Sequence, residues 1–298
     1  MGEGARAGTS IVRVPAWAMA VASIVSVQFG AALSVGLFPK VGTAGTAWLR
    51  LSAGAVIFLL IARPPVRSIN RRDLPVIVGL GLATGLITVA FLFAISRIPL
   101  GTAVAIEFLG PLTVAVVRAG DRRLLIWPAL AFGGVLLLTQ PWSGASDLVG
   151  VAAAAVAAAC WGTYIVLTAN LGTRMTGIKG LSLTIPIAAL ATAAVGVPQA
   201  WGNITPAVVA AAFGLALLLP VLPFSLEMMA LRRLTASAFG TLMALEPAVG
   251  LLLGAILLAQ RPDASQLVGI VLVVVAGMGA ARRGSIQTQD AAAISVAD

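Results

Sequence analysis

Ten times along its 298 residues the chain runs apolar for about the thickness of a bilayer, each run closed by charges, Gly or Pro. The runs lie at roughly 15–37, 43–62, 74–96, 99–117, 124–140, 149–169, 178–199, 204–230, 234–258 and 264–281. Backbone polar groups in hydrocarbon must be satisfied within their own segment, so each run reads as a helix. Hydrophobic residues make up 60% of the chain and charged ones 10%, and mean hydropathy is +1.06. At about 20 residues a span, ten spans use roughly 200 positions and leave no room for a separate soluble domain. The fold expected is an all-α polytopic membrane protein. Its first run, Pro15 to about Leu37, exceeds a signal-peptide core, lacks a convincing cleavage site and reads as a retained helix.

The same composition excludes several chemistries. One cysteine, Cys160, rules out an internal disulfide, and the absence of His removes the commonest metal ligand and general base. No metal site and no cofactor is expected, and an intramembrane enzyme, which needs a nucleophile–base pair or a metal, loses its support. The net charge of +9 reports orientation instead of a nucleic-acid partner. With the N-terminus inside, the inner segments hold fifteen basic residues: Arg6, Arg13, Arg63, Arg67, Arg71, Arg72, Arg118, Arg122, Arg123, Arg174, Lys179, Arg232, Arg233, Arg282 and Arg283. The outer ones hold Lys40, Arg97 and Arg261, with Arg50 inside the second span. This bias places both termini in the cytoplasm. Trp17 and Trp127 near inner ends, and Trp48, Trp142 and Trp201 near outer ends, fit an interfacial belt, and Trp161 deep in the sixth span does not.

The chain also repeats. A shift of 136 residues lays "AISRIPLGTAVAIEFLGP" (94–111) over "ALRRLTASAFGTLMALEP" (230–247), superposing Arg97 on Arg233, Pro111 on Pro247 and Gly133 on Gly269 without a gap. A shift of 132 puts Phe29-Gly30 over Trp161-Gly162. Five spans per repeat is an odd number, so the second copy inserts upside down. The expectation is ten transmembrane helices as two inverted five-helix repeats, with a site at their interface near the midplane. The segments are 1–14 (cytoplasmic), 15–140 (first repeat), 149–281 (second repeat) and 282–298 (a cytoplasmic tail, polar and small-residue-rich from about Gly284 and expected to be disordered).

Ionised side chains inside a span cost about 2.5–3.5 kcal/mol on insertion scales, so each needs a partner or a watered cavity. Glu107 in the fourth span and Glu246 in the ninth fall near the midplane, four and one residues before the equivalent prolines. Pro111 and Pro247, helix-break or gating candidates together with Pro220 and Pro223, each remove a backbone donor and free a carbonyl about one turn earlier, loosening the helix where the acids sit. Glu227 lies where Pro220 and Pro223 break the eighth span, yet only five residues before Arg232, so a site role and an interfacial ion pair stand about level. Arg50 either snorkels outward or pairs with one of the glutamates, the structural pair being preferred. Gln28, Trp161 and Tyr164 are further cavity-lining candidates through their polar handles. The spacings Gly81 to Gly85 and Gly250 to Gly254 read as close helix packing.

"IPLGTAVAIEFLGPL", "LPFSLEMMALRRL" and "FGTLMALEPAVG" resemble the threonine/homoserine exporters of the EamA branch of the drug/metabolite transporter superfamily, over roughly residues 15–281. The resemblance implies a bacterial inner-membrane secondary transporter exporting small neutral amino acids by alternating access, with a proton as coupling ion. It implies the small-molecule substrate, the proton and the lipid bilayer as partners, and leaves oligomeric state open. Glu107 or Glu246 would receive the substrate's ammonium. Where many relatives carry an acid near the outer end of the ninth span, this chain has Gln260 in "LLAQRPD". The alternatives are a broad-specificity drug or metabolite exporter of the same superfamily and, in another class, a non-transporting membrane scaffold.

Overall fold

The computed structural model describes residues 15–62, 71–143, 147–171 and 178–297. Residues 1–14, with Arg6 and Arg13, and also Arg63, Arg67 and Arg174 lie outside the described residues. The described chain is helical and contains no strand. Its helices are α1 (Ala16–Ser34), α2 (Phe38–Ala62), α3 (Leu74–Ile95), α4 (Leu100–Ala119), α5 (Ile126–Thr139), α6 (Leu148–Leu171), α7 (Ile178–Ala200), α8 (Pro206–Ala216), α9 (Leu222–Leu231), α10 (Ala236–Met243), α11 (Glu246–Leu257) and α12 (Ala264–Ala297).

Nine stretches among the described residues are long and apolar enough to cross a bilayer. The first of them, Ala16–Ala62, is 47 residues long and holds both α1 and α2. Within it Gly42 adopts φ 71°, ψ 171°, a conformation that suits a residue without Cβ, and the regular helix of α2 begins after it. Large apolar side chains stand exposed all round the bundle, among them Leu60, Leu82, Ile126, Leu190 and Ile256. Such a surface belongs in lipid. Trp17, Trp142 and Trp201 are exposed at helix ends as a belt requires, whereas Trp48 and Trp127 pack against Gly196 and Gly279.

Two expected spans are broken. The eighth divides into α8 and α9 around Leu219, whose φ −159° and ψ 111° are extended, just before Pro220. In the wide turn there the Leu222 N–H reaches back to the Leu217 carbonyl, and the next donor in that series would be Pro223, which has none. Ser26 of α1 donates instead to the Leu218 carbonyl, at 2.8 Å. The ninth, expected over 234–258 with Pro247 as a break candidate, divides at Ala244–Leu245 into α10 and α11, immediately before Glu246-Pro247. By contrast Pro111 sits inside an unbroken α4. The last helix runs from Ala264 to Ala297.

The helices before residue 144 interleave with those after 147. α2 lies along α7, α3 packs on α6 and α7, α5 lies along α12, α4 sits between α6 and α11, and α1 lies against α9, α10 and α11. Small residues set the closest crossings. Gly81 and Gly85 bring α3 onto the Thr184 and Ala188 carbonyls of α7, as their spacing predicted. Between α5 and α12, a Cβ on Gly134 would lie 2.6 Å from the Gly269 carbonyl oxygen, and one on Gly269 would lie 2.6 Å from that of Gly134. Gly133, which the 136-residue shift matched to Gly269, faces open space.

Candidate functional site

Alternating helix directions put the starts of α1, α3, α5 and α7 at one end of the bundle, the near end, and the starts of α2, α4, α6, α8 and α12 at the far end. Every residue of α4 from Leu100 to Phe108 is buried, so its far half is enclosed on all sides. Glu107 lies in that stretch, about 10 Å along the axis from Leu100. Pro111, having no N–H, leaves the Glu107 carbonyl without its helical donor.

Four charged side chains gather along the seam between the halves. Arg50 of α2 is buried, and its charge and that of Glu107 act on each other, although the two make no direct ion pair. Glu246, at the first turn of α11, is buried as well and interacts electrostatically with both Glu107 and Glu227. It stands about 16 Å from the far end of α11, close to mid-depth. Glu227 lies about 6 Å from the near end of α9, half-buried. Ser23 of α1 donates to its Oε1 at 2.7 Å. That bond holds Glu227, and no ion pair joins it to Arg232 among the described residues. The three carboxylates thus descend from the far half through the middle to the near half, each in reach of the next one's field.

The other candidates divide. Tyr164 of α6 is half-buried within the field of Glu227. Gln28 of α1 is buried, its Oε1 without a hydrogen-bond partner among the described residues, as is Nη1 of Arg50. A Cβ on Gly250 would lie 3.6 Å from that oxygen and 3.1 Å from Val104 Cγ2, so Gln28 meets α11 and α4 together. The Gly250 and Gly254 pair therefore admits side chains beyond close packing, Gln28 at the first and Gln260 at the second. Trp161 is half-buried and makes no hydrogen bond among the described residues. Of the four prolines, Pro220, Pro223 and Pro247 stand at breaks and Pro111 does not. An apolar groove of about 580 Å³ between α4 and α6, lined by Ile106, Leu109, Gly110, Ala158, Gly162 and Val166, carries no charge and suits acyl chains better than a zwitterion.

Polar fastenings close the far end, and the sequence reading missed most of them. Gln199 Oε1, at the end of α7, accepts from the Ala44 and Gly45 N–H groups (2.9 and 3.3 Å) where regular α2 begins. Gln260, just after α11, accepts from the Leu100 N–H at the start of α4 (3.1 Å). Each glutamine caps a helix of the other half. Nearby, Gln140 donates to Asp263 and to Ser265 (both 2.6 Å), and Arg97 pairs with Asp147 at 2.8 Å. The Arg97 side chain, with the Gly150 N–H, holds the Asp147 carboxyl below its ordinary value, and the Ser265 hydroxyl, with the Gln266 N–H and Gln140, does the same for Asp263. Removing a cap costs about 1 kcal/mol, so Gln199→Ala and Gln260→Ala should each lower the melting temperature in detergent by a few degrees. Variants that melt with the wild type would show that the caps contribute nothing.

The EamA-like transporter family profile matches residues 148–280. The threonine/homoserine exporter RhtA of Escherichia coli (strain K12) is 35% identical over 277 residues, 91% of this chain and 93% of its own length. RhtA of Salmonella typhimurium (strain LT2) is 34% identical over 90% of this chain and 92% of its own. The pseudopaline exporter CntI of Pseudomonas aeruginosa (strain PAO1) is 25% identical over 79% and 84%. A solved crystal structure aligns with 90% of this chain and 98% of its own at TM-score 0.60 and 19% identity, a likeness of fold alone.

Proposed function

Because this chain belongs to the EamA-like transporter family, we propose that it is an inner-membrane secondary transporter exporting small neutral amino acids such as threonine and homoserine. It is a multi-pass membrane transporter, not an enzyme, and its substrate is a small molecule. The observation that carries the reading is the seam itself: Arg50, Glu107, Glu246 and Glu227 brought together between two interleaved halves in an otherwise apolar bundle. A zwitterion requires both charge signs in one place, and a lipid-embedded scaffold requires neither.

The finer architecture follows in the same reading. Taking α1 and α2 as separate crossings, and α8 with α9 and α10 with α11 as one broken crossing each, gives ten spans in two inverted five-helix repeats. Supporting this, α2 on α7, α4 on α11 and α5 on α12 each pair a helix with its repeat counterpart. The basic residues orient both termini to the cytoplasm, which makes the near end the inner face. Substrate then passes by alternating access, and a proton carried on the descending carboxylates returns inward. The likeness to the pseudopaline exporter CntI favours a second reading, export of drugs or other metabolites with broad specificity.

The test is uptake of labelled threonine and homoserine into inverted membrane vesicles with and without the protein, under an imposed pH gradient. Uptake should depend on the protein and fall to background when the gradient is collapsed. Uptake indifferent to the protein refutes amino-acid export, and uptake that survives collapse of the gradient refutes proton coupling. Competition by drugs or other metabolites and not by threonine would transfer support to the second reading.

A further inference from the structure

A buried guanidinium N–H and a buried amide oxygen are each costly to leave unmatched, and native structures rarely do so without a reason. Here the two such groups within the seam are complementary. Arg50 Nη1 is a donor with no acceptor, and Gln28 Oε1 is an acceptor with no donor. Glu107 lies in the field of Arg50 without an ion pair to it. Gln28 reaches the same region from α1: its oxygen lies beside Gly250 and Val104, and Val104 is one turn from Glu107 on the enclosed face of α4. A purely structural ion pair would bring Arg50 and Glu107 together and satisfy Nη1, as Arg97 and Asp147 are joined at 2.8 Å.

We propose that Arg50, Gln28 and Glu107 form a clamp for the α-amino-acid headgroup, Arg50 donating to the substrate carboxylate while Glu107 and Gln28 accept from its ammonium. This rests on the amino-acid-export reading and specifies it. The planar guanidinium fork matches a carboxylate and a lysine ammonium does not. A zwitterion inserted between Arg50 and Glu107 gives each of these two buried charges an opposite partner. The clamp reads only the headgroup, so side chains of several small neutral amino acids fit, and an amine without the carboxylate does not.

The test uses the full chain in proteoliposomes and follows labelled homoserine with excess unlabelled homoserine or its carboxylate-free analogue, 3-amino-1-propanol, as competitor. Homoserine should compete and 3-amino-1-propanol should not. Arg50→Gln should raise the half-saturating homoserine concentration about 100-fold, the effect of losing a charge-assisted hydrogen bond. Arg50→Lys and Gln28→Ala, gentler changes, should raise it about 10-fold. The double variant Arg50→Gln/Glu107→Gln should stay impaired. Restored transport in the double variant would make Arg50 a structural counter-charge and overturn the clamp, as would equal competition by 3-amino-1-propanol. Absence of any homoserine transport by the wild type refutes export and clamp together, whereas transport with equal competition refutes the clamp alone.

Discussion

Glu107→Gln should cut threonine and homoserine efflux about 100-fold at matched membrane abundance, the loss expected when a charge-assisted hydrogen bond of up to about 3 kcal/mol disappears. The substitution keeps shape and backbone, including the carbonyl that Pro111 leaves free, and removes only the charge. Two consequences coincide. The substrate ammonium loses its anion, and Arg50 stays buried without the charge it interacts with. Efflux from loaded cells, normalised to protein in the membrane fraction, measures the effect. Efflux within about threefold of wild type would remove Glu107 from the centre of the mechanism.

Gly110→Val should destabilise the fold by about 3 kcal/mol, at the upper end for overpacking. A Cβ at Gly110 would run into the carbonyl oxygen of Ala158 and stand 2.8 Å from its carbonyl carbon. Both are backbone atoms of α6, so no rotamer change relieves the clash. α4 would have to lift away from α6, carrying Glu107 with it. Gly133 faces open space, which makes Gly133→Ala the matched control. Thermal unfolding followed by size-exclusion chromatography in detergent should show Gly110→Val melting well below Gly133→Ala and the wild type. Equal melting of all three would mean that the α4–α6 crossing is looser than its geometry.

Most span positions were legible because lipid forces each crossing to satisfy its backbone within itself, and an apolar run of the right length is therefore nearly a helix by definition. The break in the eighth span was legible too, from Pro220 and Pro223 in one turn. The break in the ninth had its signal in Pro247, yet the same signal at Pro111 produced none. Pro111 and Pro247 look alike in sequence, yet one rides within a continuous α4 while the other begins α11, since neighbouring helices decide whether freed groups find new partners. The carboxylates of the candidate site were legible, because a charge in hydrocarbon is conspicuous. Their partners were not. Glu227 has Arg232 five residues away, but its bond is to Ser23, 204 residues distant in the chain, and Gln199 caps a helix 155 residues before it. Ser23, Ser26 and Gln28 on one span were the available signal, a polar cluster in a run that lipid alone would have left apolar.

Of the groups that fasten the far end, Gln199, Gln260 and Gln140 have no proton to gain in ordinary media. The two carboxylates among them, Asp147 and Asp263, are held in their ionised forms to lower pH than free aspartate. Mild acidification of the medium on that face should therefore leave these contacts intact, so they would not respond to the proposed proton gradient. An acid in place of Gln260, still able to cap α4, would couple closure to external pH. With glutamine there, the proposed proton chemistry would fall to the carboxylates within the bundle alone.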